Sequence, residues 1–410
     1  MQTRIRRPLA VLVAIAMLVS LFSVIPALAS EAGPVTYKAP YPIVFVHGAG
    51  GWGEGTPMNS IMPGWGSKEY LASEGYEVYA PSVGPFSSVW DRSCEMYAQI
   101  TGTRVDYGEA HSKEHGHDRY GEKNKHPLIE GWSTERKIYL LGHSWGGPTV
   151  RQFAQLCEAG SKAERDANQK NISPLFTGEL KGRIAAVVAL AADHNGVIEP
   201  PMDFLDLRTI EAAMLAASVV LPVMDYVYPF RLGHFGLTTW DLVKRPVSTI
   251  KSLIGMQENA DTAMQGTLVD GMTQLNKTIQ CQKGIYYFSY AIRATREDEN
   301  GKVVMLDSVS SLMKSFGTAL CSLDVPYTTP GGTVIDSSWL PNDGMVPLVS
   351  ARSPFTEPHK DYNPKKIEKG IWQVMPLITS GWDHATFATD TPEVNAFYLN
   401  LAEMLAKLPK

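Results

Sequence analysis

Five short runs of almost entirely apolar residues constrain the fold of this chain more than any other feature. They are PIVFV (42–46), KIYLL (137–141), RIAAVVALA (183–191), GIYYFSYAI (284–292) and GIWQVMPLI (370–378). Strands that are apolar on both sides are typical of parallel sheets covered on both faces. Apolar residues recur at helical spacing after the second run and after the last one. This alternation predicts an α/β fold with a mostly parallel central sheet and helices on both faces.

The first 29 residues have a different character from the rest of the chain. Three arginines precede a long apolar stretch that ends in Ala27-Leu28-Ala29. This order is typical of a secretory signal peptide with a small-residue cleavage site. The alternative is an uncleaved membrane anchor, because the apolar stretch is long for a signal. We predict a signal peptide over residues 1–29, and therefore a secreted, extracellular protein without stable membrane insertion once the signal is removed.

Composition excludes some classes of partner. The chain is 44% hydrophobic and 19% charged with a net charge of −5, so it can bury a large core and carries no basic character suited to nucleic acid. Its four cysteines, Cys94, Cys157, Cys281 and Cys321, lack the close spacing of a metal knuckle. In an extracellular protein they are equally compatible with bridges and with buried free thiols.

The stretch Gly142-His143-Ser144-Trp145-Gly146 follows the KIYLL run and precedes a helical pattern. A G-x-S-x-G sequence between a strand and a helix is typical of a nucleophile elbow, a sharp turn that exposes the serine hydroxyl. The five residues alone are weak evidence, but their place between strand and helix makes Ser144 a candidate nucleophile.

A nucleophilic serine needs a base, an acid and donors for the oxyanion. His384 follows the last apolar run and is the candidate base; His359 precedes that run and is the rival. Asp336 and Asp343 are both candidate acids, and turn chemistry does not separate them. The candidate oxyanion donors are the backbone N–H groups of Trp145, next to the serine, and of Ala49, after the first strand.

Between residues 88 and 125, imidazole and carboxylate groups are concentrated. His111, His115 and His117 fall within seven residues, with Asp91 and Asp118 nearby. These ligand types suit zinc. The chain has no H-E-x-x-H sequence for water activation. We therefore predict a structural zinc ion that fixes this long loop to the body of the protein.

The motifs together resemble one family. The chain is similar to the thermoalkalophilic, zinc-carrying bacterial lipases, which are kin of the staphylococcal lipases, over nearly all of its length after the signal. The most specific match is WDRSCEMYAQITGTRVDYGEAHSKEHGH, and further matches are ISPLFTG, WLPNDGMV and DHATF. The resemblance implies an α/β-hydrolase fold over residues 30–410, with a zinc insertion at about 88–125 and a helical lid at about 200–245.

The resemblance also implies roles for particular residues. It places the nucleophile at Ser144, the acid at Asp343, the base at His384, and the oxyanion donors at Ala49 and Trp145. It implies zinc held by two aspartates and two histidines, of which Asp91, His111 and His117 match three. Gly233 aligns with the fourth, so we take the neighbouring His234 as the substitute ligand. Asp390 is a candidate calcium ligand or, alternatively, a helix cap.

The predicted function is hydrolysis of triacylglycerols and other water-insoluble esters through an acyl-enzyme, by a monomer acting at a lipid or other hydrophobic ester surface. The chain departs from the thermophilic members at Gly142, Trp145 and Ala49, where they usually carry alanine, glutamine and phenylalanine. Its lid region also looks shortened. The alternatives are a broad-specificity esterase or polyester hydrolase with a reduced lid, a zinc-dependent hydrolase with Ser144 incidental, and a non-catalytic binding protein.

Overall fold

A computed structural model describes residues 36–61, 64–167, 170–198 and 261–409. Within these ranges the chain from Lys38 onward belongs to one compact unit. The predicted signal peptide and the predicted lid region both lie outside the described residues.

The core of the fold is a seven-stranded sheet. Its strands, in chain order, are β1 (Ile43–Val46), β2 (Val78–Tyr79), β5 (Ile138–His143), β6 (Ile184–Leu190), β7 (Tyr286–Tyr290), β12 (His359–Asp361) and β13 (Trp372–Val374). They lie side by side in the order β12-β13-β7-β6-β5-β1-β2, and every neighbouring pair is parallel. The predicted α/β fold is confirmed, and each of the five apolar runs overlaps one of these strands.

Three antiparallel pairs lie outside the main sheet. They are β3 (Arg104–Asp106) with β4 (Tyr120–Lys123), β8 (Thr295–Glu297) with β9 (Val303–Met305), and β10 (Tyr327–Thr328) with β11 (Val334–Ile335). The first pair lies within the predicted zinc insertion.

The helices of the described residues connect these strands. They are α1 (Pro57–Ile61), α2 (Gly66–Ser73), α3 (Val89–Thr101), α4 (Glu109–His115), α5 (Gly146–Ala159), α6 (Lys162–Asp166), α7 (Pro174–Thr177), α8 (Ala263–Thr267), α9 (Val269–Leu275), α10 (Ser311–Cys321), α11 (Leu348–Arg352) and α12 (Pro392–Ala406). The two predicted helical stripes correspond to α5 and α12.

Alternation along each strand divides the core between the two faces of the sheet. In β1, Ile43 and Phe45 pack on the face covered by α2, α10 and α12, whereas Val44 and Val46 pack on the face covered by α3 and α5. Both faces are therefore buried, which is why the sequences of the central strands contain few polar residues. The carboxyl ends of these strands lie at one edge of the sheet, and the loops that leave that edge carry the candidate site.

The four cysteines are all free thiols. Cys94, Cys157 and Cys321 are buried, and Cys281 is half-buried. Of the two alternatives open at the level of sequence, the structure contains the unbridged one, and the packed core described above needs no covalent support.

Candidate functional site

The predicted nucleophile elbow is a sharp turn between β5 and α5. Ser144 has a backbone φ of +54°, a left-handed conformation that is uncommon for a residue with a side chain. The turn is held because the N–H of Ser144 donates to the carbonyl oxygen of Leu190, 3.0 Å away, and the Ser144 carbonyl accepts from the N–H of Gly147 at 2.8 Å. Strain of this kind at a single hydroxyl-bearing residue is typical of functional turns.

The two glycines of the pentapeptide are required by close backbone approach. A Cβ atom added at Gly142 would lie 2.2 Å from the carbonyl oxygen of Gly146, and one added at Gly146 would lie 2.1 Å from the carbonyl oxygen of Val46. Both contacts are with backbone that cannot move aside. The sequence pattern around Ser144 is therefore explained by close backbone contacts within the elbow and between the elbow and β1.

Asp343 and His384 form a buried pair, although 41 positions separate them in the chain. Nδ1 of His384 lies 2.9 Å from Oδ2 of Asp343. The other carboxylate oxygen accepts the N–H groups of Met345 at 2.9 Å and Val346 at 2.8 Å. Because a carboxylate accepts, Nδ1 of His384 carries the proton in this pair, and Nε2 is the nitrogen not committed to Asp343.

A second histidine holds the loop that carries His384. Nε2 of His143, in the elbow itself, lies 2.8 Å from the carbonyl oxygen of His384 and so donates its proton to it. Burial lowers the pKa of His143 to about 3, so this ring stays neutral at ordinary pH. The elbow and the loop after β13 are thereby joined by a direct contact.

The environment of His384 favours its protonated form. Burial of the ring opposes protonation, but the charge of Asp343 and its hydrogen bond outweigh burial, and the pKa of His384 is raised above its ordinary value. Asp193, at the carboxyl end of β6, and Asp383 act in the same direction.

Ser144 and His384 line one cavity of about 570 Å³. The other lining residues include the small and aromatic side chains of Ala49, Trp52, Trp65, Ala385 and Ala388. This volume falls within the range of small-molecule sites. A mostly apolar wall around a hydroxyl and an imidazole suits a substrate with a hydrophobic chain.

The candidate oxyanion donors come from two separate parts of the chain. Ala49 is in the loop after β1 and lines the cavity. Trp145 immediately follows Ser144 and precedes the first residue of α5, and its indole N–H donates to the carbonyl oxygen of Ser87 at 3.1 Å. That contact fixes the Trp145 side chain away from the cavity.

The structure places the two rival residues elsewhere. Asp336 is the N-cap of a short 3-10 helix (Ser337–Trp339), where its side chain accepts the N–H of Ser338. His359 is an exposed residue of the edge strand β12. Neither residue lines the cavity that contains Ser144.

Four residues of the described chain could together hold a metal ion: Asp91, His111, His117 and Asp261. His111 Nε2 lies 3.2 Å from Asp91 Oδ1 and 3.4 Å from Asp261 Oδ2. His117 Nε2 lies 3.3 Å from Asp261 Oδ2 and 3.9 Å from Asp91 Oδ1. The structure therefore brings three of the sequence-predicted ligands together and adds Asp261.

His234, the predicted fourth ligand, lies outside the described residues. Sequence reasoning missed Asp261 because it follows a segment with no recognisable motif. The resemblance implied two aspartate ligands, of which Asp91 is one. This requirement was a signal for a second aspartate further along the chain, and it could have pointed to Asp261 instead of the neighbouring His234.

Asp390, the candidate calcium ligand, is exposed and does not belong to that group of four. The alternative that it caps the last helix is wrong. Thr391 is the N-cap of α12, and its side chain accepts the N–H of Val394. Asp390 instead accepts a bond from the Asn395 side chain through its backbone carbonyl, at 3.1 Å.

A parallel sheet with a strained serine after β5 and a histidine–carboxylate pair at the same edge defines an α/β-hydrolase fold. The chain belongs to the family described as the lipase-like, C-terminal domain, whose model matches residues 39–408. The kinship with staphylococcal lipases that the motifs predict is confirmed.

Individual relatives agree with this assignment. Lipase 1 of Staphylococcus aureus is 31% identical over 400 residues, which cover 91% of this chain and 55% of that protein. The chain thus spans about half the length of the curated relatives it matches. Staphylococcus hyicus lipase has a similar structure, with a TM-score of 0.76, 27% identity, and coverage of 92% of this chain and 98% of its own. Lipase 1 of Pelosinus fermentans has a TM-score of 0.73 at 31% identity, covering 91% and 100%.

No helix among the described residues combines the length and the apolar character needed to cross a membrane.

Proposed function

We propose that this chain is a secreted serine carboxylic-ester hydrolase that acts on triacylglycerols and other water-insoluble esters. The observation that carries the proposal is the buried Asp343–His384 pair, whose histidine lines the same cavity as Ser144. The apolar lining of that cavity favours a substrate with a hydrophobic acyl chain. Family membership supports the same class of reaction.

The proposed reaction has two halves. Ser144 Oγ attacks the ester carbonyl carbon while its proton passes to Nε2 of His384, and the carbonyl electron pair moves to the oxygen. The tetrahedral species then expels the alcohol, which takes the proton from His384, and leaves an acyl group on Ser144. A water molecule then attacks the acyl carbon while His384 takes its proton, and the second tetrahedral species returns that proton to Ser144 and releases the acid. Asp343 holds the imidazole in one tautomer and stabilises its positive charge.

The backbone N–H groups of Ala49 and Trp145 are assigned the role of stabilising the negative charge that develops on the carbonyl oxygen. Preorganised donors of this kind supply a large share of the rate in acyl transfer, because they are already aimed where charge appears. Ala49 also leaves the adjacent wall of the cavity open, which favours bulky acyl or alcohol groups.

The function is tested with a series of soluble esters of increasing chain length, extended to emulsified triacylglycerol and a polyester film. Wild-type protein and Ser144→Ala are assayed together. Preference for long chains and emulsions supports the lipase proposal. Preference for short soluble esters contradicts it and supports a broad esterase, and turnover of the film supports the polyester alternative.

The alternative of a zinc-dependent hydrolase has less support. None of the four potential metal ligands is among the described residues that line the cavity of Ser144 and His384. We propose instead that Asp91, His111, His117 and Asp261 hold a structural zinc ion. Two ligands bound to one tetrahedral zinc at about 2.0–2.2 Å lie about 3.3–3.6 Å apart, close to the observed separations.

Two further observations support a divalent cation there. Nδ1 of His117 lies 2.9 Å from the carbonyl oxygen of Asp118, so Nδ1 carries the proton and Nε2 faces the group with its lone pair. Burial and the neighbouring Asp261 raise the pKa of Asp91 above its ordinary value. A zinc ion would compensate two carboxylates that are otherwise costly to bury together.

Removal of this metal is expected to lower the melting temperature by about 5–15 °C, since a ligand that binds only the folded state stabilises it. Metal analysis and thermal melts with and without chelator measure this. Asp261→Asn should lose the metal and become insensitive to chelator, whereas His126→Gln, which changes an exposed histidine just after the predicted insertion, should behave as wild type. An unchanged melting temperature after chelation contradicts a structural metal.

The raised pKa of His384 predicts the pH dependence of the reaction. The base works only when neutral, and protonation removes it below its pKa. The acid limb of kcat/KM for a soluble ester should therefore have its midpoint above the ordinary histidine value of 6.5. A limb centred at pH 6 or lower would contradict the electrostatic role assigned to Asp343.

Secretion is proposed from the first 29 residues. Expression of the full chain in an export-competent bacterium should give a culture-medium protein whose amino terminus begins after Ala29. Protein retained in the membrane fraction with an intact amino terminus would support the anchor alternative.

A further inference from the structure

Arg92 is a fully buried cation that connects three separate parts of the site. It lies in the first turn of α3 and is not exposed at all. Its Nη2 donates to the carbonyl oxygen of His47, and its Nη1 to those of Gly84 at 3.0 Å and Gly48 at 3.4 Å. Its Nε donates to Thr149 Oγ1 at 3.0 Å. One guanidinium thus joins the loop after β1 to the helix that follows the nucleophile.

We propose that Arg92 is a positioning residue that aims the amide N–H of Ala49 at the oxyanion formed on Ser144. The inference rests on the proposed ester hydrolysis and extends it, because it assigns a role to a residue outside the proposed triad and the proposed oxyanion donors.

The planarity of the peptide bond links the position of the Gly48 oxygen to the direction of the Ala49 N–H. In a trans peptide the C=O of Gly48 and the N–H of Ala49 belong to one rigid plane and point in opposite directions. Arg92 holds the Gly48 oxygen on its own side, so the Ala49 N–H points to the other side. Ser144 lies close by, since a Cβ added at Gly48 would be 2.8 Å from Ser144 Cβ and 3.2 Å from its Oγ.

His47 provides a second restraint on the same peptide. Its Nε2 accepts the N–H of Val83 at 3.2 Å, so Nδ1 carries the proton and donates to the Gly48 oxygen at 2.9 Å. The Gly48 carbonyl therefore faces donors from His47 and Arg92, together with the N–H of Gly51 at 3.2 Å. With the His47 carbonyl also held by Arg92, rotation of the Gly48–Ala49 peptide would break several bonds at once.

The positive charge adds an electronic effect to the geometric one. A donor at the carbonyl oxygen polarises the amide and strengthens its N–H as a donor to the next group in the chain of hydrogen bonds. This effect is largest in a buried, low-dielectric site, and it acts on the oxyanion rather than on the neutral ester. Arg92 should therefore influence kcat more than KM.

The test compares Arg92→Met, which removes the charge and the donors, with Arg92→Lys, which keeps the charge but cannot reach all four acceptors. Arg151→Met is the matched control. Arg151 is also a buried arginine, but it bonds Glu357 at 2.5 Å and Asn276 at 2.8 Å and makes none of the contacts to the Gly48–Ala49 peptide described for Arg92. All variants are assayed well below their melting temperatures on a soluble ester, with metal content measured because Arg92 follows Asp91.

We expect kcat to fall about 10–100-fold in Arg92→Met with KM changed less than about threefold, since loss of a whole oxyanion donor costs about 10²–10³. Arg92→Lys should be intermediate. The inhibition constant of an alkyl boronic acid, whose tetrahedral anion mimics the transition state, should rise in parallel with the loss of kcat. Arg151→Met should lose stability but keep its kcat and its boronate affinity.

Wild-type activity separates failure of the inference from failure of the proposed function. If the wild type hydrolyses no ester, the proposed function fails. If it does, a folded Arg92→Met protein with full metal content, wild-type kcat and wild-type boronate affinity overturns the positioning role. If Arg92→Met does not fold, Arg92→Lys is used instead, and wild-type kcat and boronate affinity in that variant overturn the positioning role. A fall in kcat without weaker boronate binding also overturns it.

Discussion

Replacement of Ser144 by alanine is expected to reduce kcat for ester hydrolysis by about 10⁵–10⁶-fold, because nucleophile and base act as a unit and loss of either removes most of the catalysis. The fold should survive. The substitution deletes one oxygen at a position whose backbone is fixed by contacts with Leu190 and Gly147. Initial rates on a soluble ester and thermal melts of the same samples measure both parts of this expectation.

The same variant separates the serine mechanism from the zinc alternative. Under the serine mechanism, an alkyl fluorophosphonate labels the wild type but not Ser144→Ala, and chelator leaves initial rates unchanged at temperatures where the protein stays folded. Retention of activity in Ser144→Ala, together with its immediate loss on chelation, would make the metal group catalytic.

Asp343→Asn should reduce kcat by about 10⁴-fold, the magnitude expected when an amide replaces the carboxylate beside a catalytic histidine. Two changes cause the loss. The amide removes the negative charge that stabilises protonated His384, and it can offer an N–H that turns the imidazole into the wrong tautomer. Steady-state rates on a soluble ester measure the effect.

Asp336→Asn is the matched control, because it makes the same chemical change at the other aspartate of this region. Asp336 caps a 3-10 helix at the surface, so we expect its variant to keep kcat within about twofold, as surface changes away from special features usually do. Equal losses in the two variants would show that the asparagine substitution acts through stability rather than through His384.

The fold was predictable because burial on both faces leaves a direct trace in the strand sequences. Tyr286–Tyr290 and Ile184–Leu190 are almost uninterrupted in apolar character, and both are central strands. The edge strands left no such trace. Val78–Tyr79 is two residues long, and His359–Asp361 is polar because one side of an edge strand faces solvent.

The candidate site likewise has parts that could be predicted from sequence and parts that could not. The elbow at Ser144 could be predicted because close backbone approach dictates its glycines. The choice between Asp336 and Asp343 could not be made from turn chemistry, since both occupy hydrogen-bonded turns. What distinguishes Asp343 is its contact with His384, and a long-range contact of that kind has no local signature.

The four potential metal ligands also show that residues far apart in the chain are difficult to assign to one site from sequence. Asp91, His111 and His117 lie in one segment, so their types and spacing indicated a ligand set. Asp261 is 144 positions beyond His117 and is not part of a recognisable sequence motif. Only the fold brings these two residues together. The N-cap at Thr391 was missed for a simpler reason: threonine and aspartate are both favoured caps, and adjacent candidates cannot be ranked by propensity alone.

The central claim is that the Ser144 hydroxyl is the nucleophile and that the amides of Ala49 and Trp145 receive the oxyanion. The most direct measurement is a crystal structure of the protein inactivated by an alkyl phosphonate ester. We expect phosphorus bonded to Ser144 Oγ, with the phosphoryl oxygen about 2.7–3.1 Å from the backbone nitrogens of both residues. Phosphorus on any other side chain, or a phosphoryl oxygen directed away from those two amides, would contradict it.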